Sequence, residues 1–148
     1  MKTIGQVEAV IVKGGKILIL KKRDAKFEKG KWFRTKQSFW RLPKGKLEKG
    51  ESAKKGLKRE LREETGLKKI KMGKRVFSYS FEAPKGLLLR KVSAYLVFTD
   101  EKPRMTKDGR KEGIEKILLA SPKTALKKVH FESEKKVLKA AVKLLRSG

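Results

Sequence analysis

Three glutamates stand close together in the segment Arg59–Gly66, RELREETG. They are Glu60, Glu63 and Glu64, in a chain of 148 residues with 42 Lys and Arg, 16 Asp and Glu, and a formal net charge of +26. Carboxylates repel one another, so such crowding in a basic chain needs an explanation. They are either ordinary solvated helix residues or ligands gathered around a cation.

The spacing of the glutamates within a predicted helix separates these two interpretations. Ser52 is a favourable N-cap and Gly66 a favourable C-terminal glycine, so the sequence predicts a helix between them. At about 100° per residue, Glu64 lies about 40° from Glu60, and Glu63 about 60° away on the other side. All three therefore share a face with small and apolar residues. The basic residues of the opposite face are Lys54, Lys55, Lys58 and Arg62.

Carboxylates on a packing face need a positive partner, because burial and mutual repulsion destabilise them. Arg59 neutralises one of them, and the others predict a metal ion. The chain has no Cys and a single His, so oxygen ligands predict Mg²⁺, with Mn²⁺ as the alternative, rather than zinc. Gly56 removes a side chain from this face, which predicts that the backbone of the preceding turn, LPKGK, approaches closely. The Gly45 carbonyl of that turn is then a further candidate ligand.

A longer pattern surrounds the glutamates, from residue 45 to residue 67. The segment GKLEKGESAKKGLKRELREETGL resembles the Nudix box, G-x5-E-x7-R-E-U-x-E-E-x-G-U, in which U is aliphatic. Every position is filled, and a chance match is rare, on the order of one in a million or less. The matching residues are Gly45, Glu51, Arg59, Glu60, Leu61, Glu63, Glu64, Gly66 and Leu67.

This resemblance implies a fold and an activity. The predicted elements fit the fold of the family, an α/β (α+β sandwich) arrangement with a mixed β-sheet packed between helices, as a single domain over residues 1–148. Members hydrolyse a pyrophosphate bond in a nucleoside diphosphate linked to another group, and they use divalent cations. By motif position, the implied metal ligands are Gly45, Glu60 and Glu64, and the implied catalytic residues are Glu63 and Arg59. Many members also use a glutamate from a late loop as general base; Glu112 and Glu115 lie in a suitable region, and Glu112 is the candidate.

The residues just before the box bear on the substrate. The lead-in WRLPKGK resembles that of Nudix hydrolases acting on dinucleoside polyphosphates, diphosphoinositol polyphosphates and capped RNA. The first prediction is a dinucleoside polyphosphate or a nucleoside triphosphate; the alternatives are the 5′ end or cap of RNA, a diphosphoinositol polyphosphate and ADP-ribose. An RNA-binding protein that retains only the fold is the non-enzymatic alternative. The candidate substrate-binding residues are Lys44, Arg41, Trp40 and Tyr79, with Trp32, Phe33 and Phe39 as further aromatic candidates.

The net charge has three interpretations: steering of an anionic substrate, RNA binding, or the lysine-rich surface of a heat-stable protein. The N-terminus lacks the apolar core of a signal peptide. No window approaches the roughly eighteen apolar residues of a membrane span. We therefore predict a cytoplasmic protein without membrane contact, as a monomer or homodimer.

The pattern along the chain predicts the elements that position these residues. Gly14-Gly15 predicts a hairpin turn between strands at residues 6–12 and 17–20. Residues 23–38 show no clean period, which predicts a long loop and a candidate lid. The remaining predictions are strands at 39–43, 74–82 and 87–99, a polar loop at 100–113, an edge strand at 114–119, and helices beginning at Ser121 and at about Ser133.

Overall fold

The centre of the protein is a mixed β-sheet with helices on both of its faces. The structure is a computed structural model that describes residues 1–147. Within this range, seven strands and four helices are present. The strands are β1 (Lys2–Lys13), β2 (Lys16–Glu28), β3 (Lys31–Arg41), β4 (Lys44–Lys46), β5 (Lys71–Glu82), β6 (Leu88–Phe98) and β7 (Ile114–Ala120), and the helices are α1 (Ala53–Thr65), α2 (Lys107–Lys111), α3 (Pro122–Lys128) and α4 (Glu132–Ser147).

Strand β1 connects the parts of the sheet. It pairs in parallel with β6 and antiparallel with β4, and β6 pairs antiparallel with β5. A tight turn at Gly14-Gly15, with φ angles of +55° and +75°, leads from β1 into β2. Such left-handed angles are favourable for glycine. The predicted hairpin is confirmed.

The side chains of β1 divide the core into two layers. Val7, Ala9 and Ile11 pack with α1, whereas Val10 packs with α3 and α4. Because side chains alternate along a strand, Glu8 points to the same face as Val10, where it is fully buried. The predicted fold class, a mixed sheet between helices, is confirmed.

The prediction of a long loop at residues 23–38 is wrong. These residues continue β2 and β3 as a hairpin, which we call the arm (Arg23–Ser38), and its last pair is Glu28 with Lys31. Its turn uses Lys29 and Gly30, at φ angles of +50° and +77°. Most of the arm extends beyond the core and buries neither face, so no alternation of apolar and polar residues marks it as a strand.

The other predicted elements are largely confirmed. β5 and β6 form the second hairpin, β7 pairs with the outer side of β2, and α3 and α4 begin within one residue of their predicted starts. The predicted polar loop at 100–113 contains the short helix α2, and the predicted polar turn after residue 43 contains β4. Among the described residues, no helix has the length and apolarity to cross a membrane.

Candidate active site

Helix α1 carries the three glutamates on a largely buried face. The Ser52 side chain accepts a hydrogen bond from the first turn, and Gly66 ends the helix at a φ of +72°. Both caps are as predicted. Glu60 is 8% exposed and Glu64 1% exposed, and the Glu63 side chain is more open, at 37%. The predicted inward face is therefore present, with Glu63 at its edge.

Arg59 joins this helix to the strand before it. Its guanidinium donates hydrogen bonds of 2.9 Å to Glu60 and to both carboxylate oxygens of Glu51, and one of 3.0 Å to the Lys46 carbonyl. Its Nη1 lies 3.6 Å from Glu63. The hydrogen bonds from Arg59 lower the pKa of Glu51 to about 2, and the pKa of Arg59 is raised in return. Arg59 thus fixes Glu60 and Glu51 relative to β4.

Two glycines bring β4 and the following turn against α1. A Cβ at Gly45 would overlap the carboxyl group of Glu60, so a glycine is needed for the strand to approach this glutamate. A Cβ at Gly56 would overlap the side chain of Leu47. The prediction that a backbone approaches Gly56 is wrong, because the space is filled by an apolar side chain. The close backbone approach is at Gly45.

Glu60 and Glu64 meet Glu112, from the turn after α2, in a carboxylate cluster. One carboxylate oxygen of each lies within 4.8 Å of the others. Within residues 1–147, the buried Oε1 of Glu64 has no hydrogen-bond partner. Burial raises the pKa of Glu64 well above its usual range, and raises that of Glu60 to about 7 despite the hydrogen bond from Arg59. A buried, all-oxygen set with an unpaired lone pair fits a divalent cation, which would offset the repulsion.

The two late glutamates have different surroundings. Glu112 belongs to the carboxylate cluster, whereas Glu115 is exposed and accepts a hydrogen bond from the Ser38 hydroxyl. The arm holds the segment that carries them. Arg34 donates to the Lys111 carbonyl at 3.2 Å, and the backbone N–H of Arg23 donates to the Gly113 carbonyl at 2.9 Å. The position of Glu112 therefore depends on the arm.

The carboxylate cluster borders a cleft with cationic and aromatic walls. The cleft has a volume of about 630 Å³, which is in the range of small-molecule sites. Of the predicted substrate-binding residues, Lys44, Arg41 and Tyr79 line it. Trp40 does not belong to this lining in the part of the chain that the structure describes; it packs against the core, with Lys128 over its ring. The cleft is also lined by Gln6, Lys22, Trp32, Phe81, Arg90, Phe131 and Glu134.

A second pair of acids, Glu8 and Glu134, was not predicted: Glu134 lines the cleft, and Glu8 is fully buried beside it. Glu134 Oε1 accepts a hydrogen bond from the Leu42 N–H at 3.0 Å, and Lys44 Nζ lies 4.0 Å from Oε2. The Tyr79 hydroxyl donates to Glu8 at 3.0 Å. Burial, followed by the charge of Glu134, raises the pKa of Glu8. The sequence did contain one indication of this pair: Glu8 is an acid within the otherwise mostly apolar strand QVEAVIV.

Comparison with protein families decides where the chain belongs. The NUDIX domain model matches residues 5–141. The chain belongs to the Nudix family. This Nudix protein resembles the solution structure of the E. coli ORF135 protein, at 26% identity and a TM-score of 0.73, over 99% of this chain and 94% of that one. No curated protein sequence gives a significant match.

Two further solved structures share the fold. A C. elegans Ap4A hydrolase, in a binary complex, is 18% identical, with a TM-score of 0.72 over 98% of this chain and 99% of that one. A MutT NUDIX hydrolase from Burkholderia pseudomallei is also 18% identical, with a TM-score of 0.68 over 95% and 98% of the two chains. The predicted enzyme class is confirmed: the protein is a Nudix pyrophosphohydrolase, of a family that uses divalent cations.

The raised pKa of Glu60 predicts how the stability of the metal-free Nudix protein depends on pH. Its folded-state pKa is about 7, above the ordinary value of 4.5. Glu60 therefore stabilises the fold fully below about pH 4.5, and this contribution is lost as the pH rises through about 7. Urea unfolding with a chelator present, at about pH 5 and about pH 8, should show wild type losing stability relative to Glu60→Gln. Parallel pH profiles of the two proteins would contradict the assignment.

Proposed function

We propose that this Nudix protein is a Mg²⁺-dependent hydrolase that cleaves a pyrophosphate bond in dinucleoside polyphosphates, with nucleoside triphosphates as the nearest alternative. One observation supports this most directly. The cluster of Glu60, Glu64 and Glu112 borders the same cleft as Lys44. A cation site and cationic side chains on one cleft suit a polyphosphate, because each of its phosphates carries negative charge that needs a positive partner.

The donor set determines which residues would hold the cation. Glu60 and Glu64, with the Gly45 carbonyl, offer oxygen ligands only, a set that suits Mg²⁺ and also Mn²⁺. When bound, such an ion withdraws electrons from the phosphorus and makes a neighbouring water more acidic. Arg59 holds the Glu60 carboxylate in place through a 2.9 Å hydrogen bond. Glu63, at the edge of the site, is placed to assist the ion or the water.

Glu112 is the proposed general base. The carboxylate lies in the cluster and is half-buried, so one of its oxygens is available to take the proton of the attacking water. In this proposal the cationic side chains Lys44 and Arg41, which line the same cleft, bind the phosphate chain. Lys44 is held from behind by Glu134, 4.0 Å away, which helps to keep it charged although burial lowers its pKa.

Replacement of the two late glutamates tests this role. Glu112→Gln keeps the size of the side chain and removes the proton acceptor, so we expect kcat to fall by about two to three orders of magnitude at neutral pH. Glu115→Gln is the matched control, and we expect its kcat to stay within about twofold of wild type, because its partner is Ser38 on the surface. A large loss of kcat in Glu115→Gln and a small one in Glu112→Gln would instead identify Glu115 as the general base.

A substrate panel tests the proposed function itself. Purified protein is incubated with Mg²⁺ and, one at a time, dinucleoside polyphosphates, nucleoside triphosphates, ADP-ribose, a diphosphoinositol polyphosphate and a 5′-capped RNA oligomer. Products are separated by mass, and hydrolysis in ¹⁸O-labelled water identifies the attacked phosphorus. Fastest turnover of a dinucleoside polyphosphate is the expected result. Fastest turnover of another class would reassign the substrate.

RNA is a second candidate substrate because of one observation, the charge of +26. A protein that neutralises several phosphates binds with a steep dependence on salt. If capped RNA is the substrate, the capped oligomer should outcompete a free dinucleotide, and its advantage should shrink between about 50 mM and about 200 mM salt. If the protein only binds RNA, the same steep dependence should be found without any Mg²⁺-dependent turnover.

A further inference from the structure

The arm reaches across the cleft and brings an exposed aromatic ring to its outer wall. Trp32, beside the tip of the arm, is 49% exposed and lines the cleft. The Arg90 guanidinium of β6, which also lines the cleft, lies over the Trp32 ring at 5.9 Å from its centre. A large aromatic side chain so exposed gains little from the fold, so its position beside a phosphate-cleaving site needs another explanation.

The Trp32 ring is held in place although it is exposed. Trp32 pairs across the arm with Phe27, and the two ring centres lie 5.4 Å apart at a tilted angle. Phe33, the next residue, points to the opposite face of the arm and is 44% exposed. A ring that is supported by a neighbouring ring and still 49% exposed offers a stacking surface to a flat, unpaired base.

The arm also carries the charge that such a ligand requires. Residues 23–38 contain two acids, Asp24 and Glu28. Exposed aromatic rings among lysines and arginines are typical of surfaces that bind unpaired nucleotides. The basic residues of the arm are Arg23, Lys26, Lys29, Lys31, Arg34 and Lys36.

A single nucleoside does not account for all the aromatic surface of the cleft. The inner wall has its own half-buried rings, Tyr79 and Phe131, beside two buried polar atoms, Gln6 Oε1 and Arg41 Nε, that are unpaired within the described residues. Unpaired buried polar atoms favour a ligand with hydrogen-bonding edges, such as a base. Trp32, on the outer wall, can stack on a second base, and stacking requires no base-specific hydrogen bonds.

We propose that Trp32, with Arg90 beside it, forms a binding site for the second nucleoside of a substrate in which two nucleosides are joined through a polyphosphate chain. The inference rests on the proposed function, because it places the phosphates at the carboxylate cluster and the first nucleoside at the inner wall. Arg90 contributes a positive charge at this end of the cleft, and its Nε donates to the Ala83 carbonyl at 2.8 Å, which fixes the guanidinium.

Two ligands that differ only in the second nucleoside test the inference: diadenosine tetraphosphate and adenosine tetraphosphate. For each protein, the ratio of the two kcat/KM values is measured with Mg²⁺. We expect Trp32→Ala to lower this ratio about tenfold, as loss of one stacked base implies. Trp32→Phe, which keeps a ring, should stay within about threefold of the wild-type ratio. Phe33→Ala is the matched control from the other face of the arm, and its ratio should be unchanged.

Binding of each ligand, measured by isothermal titration calorimetry, accompanies turnover. The inference is supported if Trp32→Ala weakens the binding of diadenosine tetraphosphate and leaves the binding of adenosine tetraphosphate unchanged. An equal loss for both ligands, or an unchanged ratio of the two dissociation constants, would overturn it. If wild type hydrolyses neither compound, the proposed function fails, and the ratio of dissociation constants still decides whether Trp32 binds a second nucleoside.

Discussion

Replacing Glu64 with Gln is expected to reduce Mg²⁺-dependent hydrolysis about a thousandfold, equivalent to about 4 kcal/mol in the activation free energy. The reason is the position of Glu64 in the carboxylate cluster, 1% exposed and with an unpaired oxygen in the part of the chain that the structure describes. An amide has the same shape and carries no charge, so it is a poor ligand for a hard cation. Steady-state kinetics across a range of Mg²⁺ concentrations measures the loss.

Stability measurements separate this effect from misfolding. Burial raises the pKa of Glu64 well above its usual range, so its ionised form is unfavourable in the metal-free fold. The free energy of unfolding of metal-free Glu64→Gln should therefore equal or exceed that of wild type at neutral pH. Mg²⁺ should raise the Tm of wild type more than that of the variant. Unchanged hydrolysis in Glu64→Gln would show that Glu64 is not a metal ligand.

The second large effect is expected for Gly45→Ala, which adds one methyl group. A Cβ at this position would overlap the Glu60 carboxyl group, so the Glu60 side chain must leave its present position or β4 and α1 must move apart. Either change displaces the Glu60 carboxylate from the cluster, and displacements of about 1 Å at a reacting centre cost about a hundredfold in rate. We expect kcat/KM to fall at least about a hundredfold, with a lower free energy of unfolding.

Gly5→Ala is the matched control for this methyl group. Gly5 lies in neighbouring β1, and a Cβ there would be 3.3 Å from the Leu47 Cδ1, the end of a flexible side chain. A shift of a few tenths of an ångström accommodates it, so we expect near wild-type activity. If Gly45→Ala were as active as Gly5→Ala, the close approach of β4 to Glu60 would have no part in the reaction.

Helix α1 was predictable because the residues that determine it are close together in the sequence. The caps Ser52 and Gly66 and the inward face of Glu60 and Glu64 follow from helix geometry and from residue types within fifteen positions. The Nudix box predicted the family, and membership of the family predicted the fold. The carboxylate roles remain predictions that the kinetic experiments above address.

The features that were missed depend on contacts between distant residues. The pairing of Glu8 with Glu134 joins the first strand to the last helix, and no local pattern connects the two positions. The arm was mistaken for a loop because strand pairing, rather than burial, holds Phe27 against Trp32. Gly56 was assigned a backbone neighbour because helix geometry shows where space is available and does not show that the Leu47 side chain fills it.

The attachment of the arm to the Glu112 turn has a consequence for how such enzymes diverge. Arg34 and Arg23 bind the Lys111 and Gly113 carbonyls on either side of Glu112. The same hairpin places Trp32 in the lining of the cleft. If Glu112 is the base and Trp32 binds the second nucleoside, as proposed, a change in the length or sequence of this hairpin is expected to alter the rate of the chemical step and the substrate preference together. In directed evolution, the hairpin and residues 111–113 should therefore be exchanged between homologues together, since replacing one without the other would break the hydrogen bonds between them.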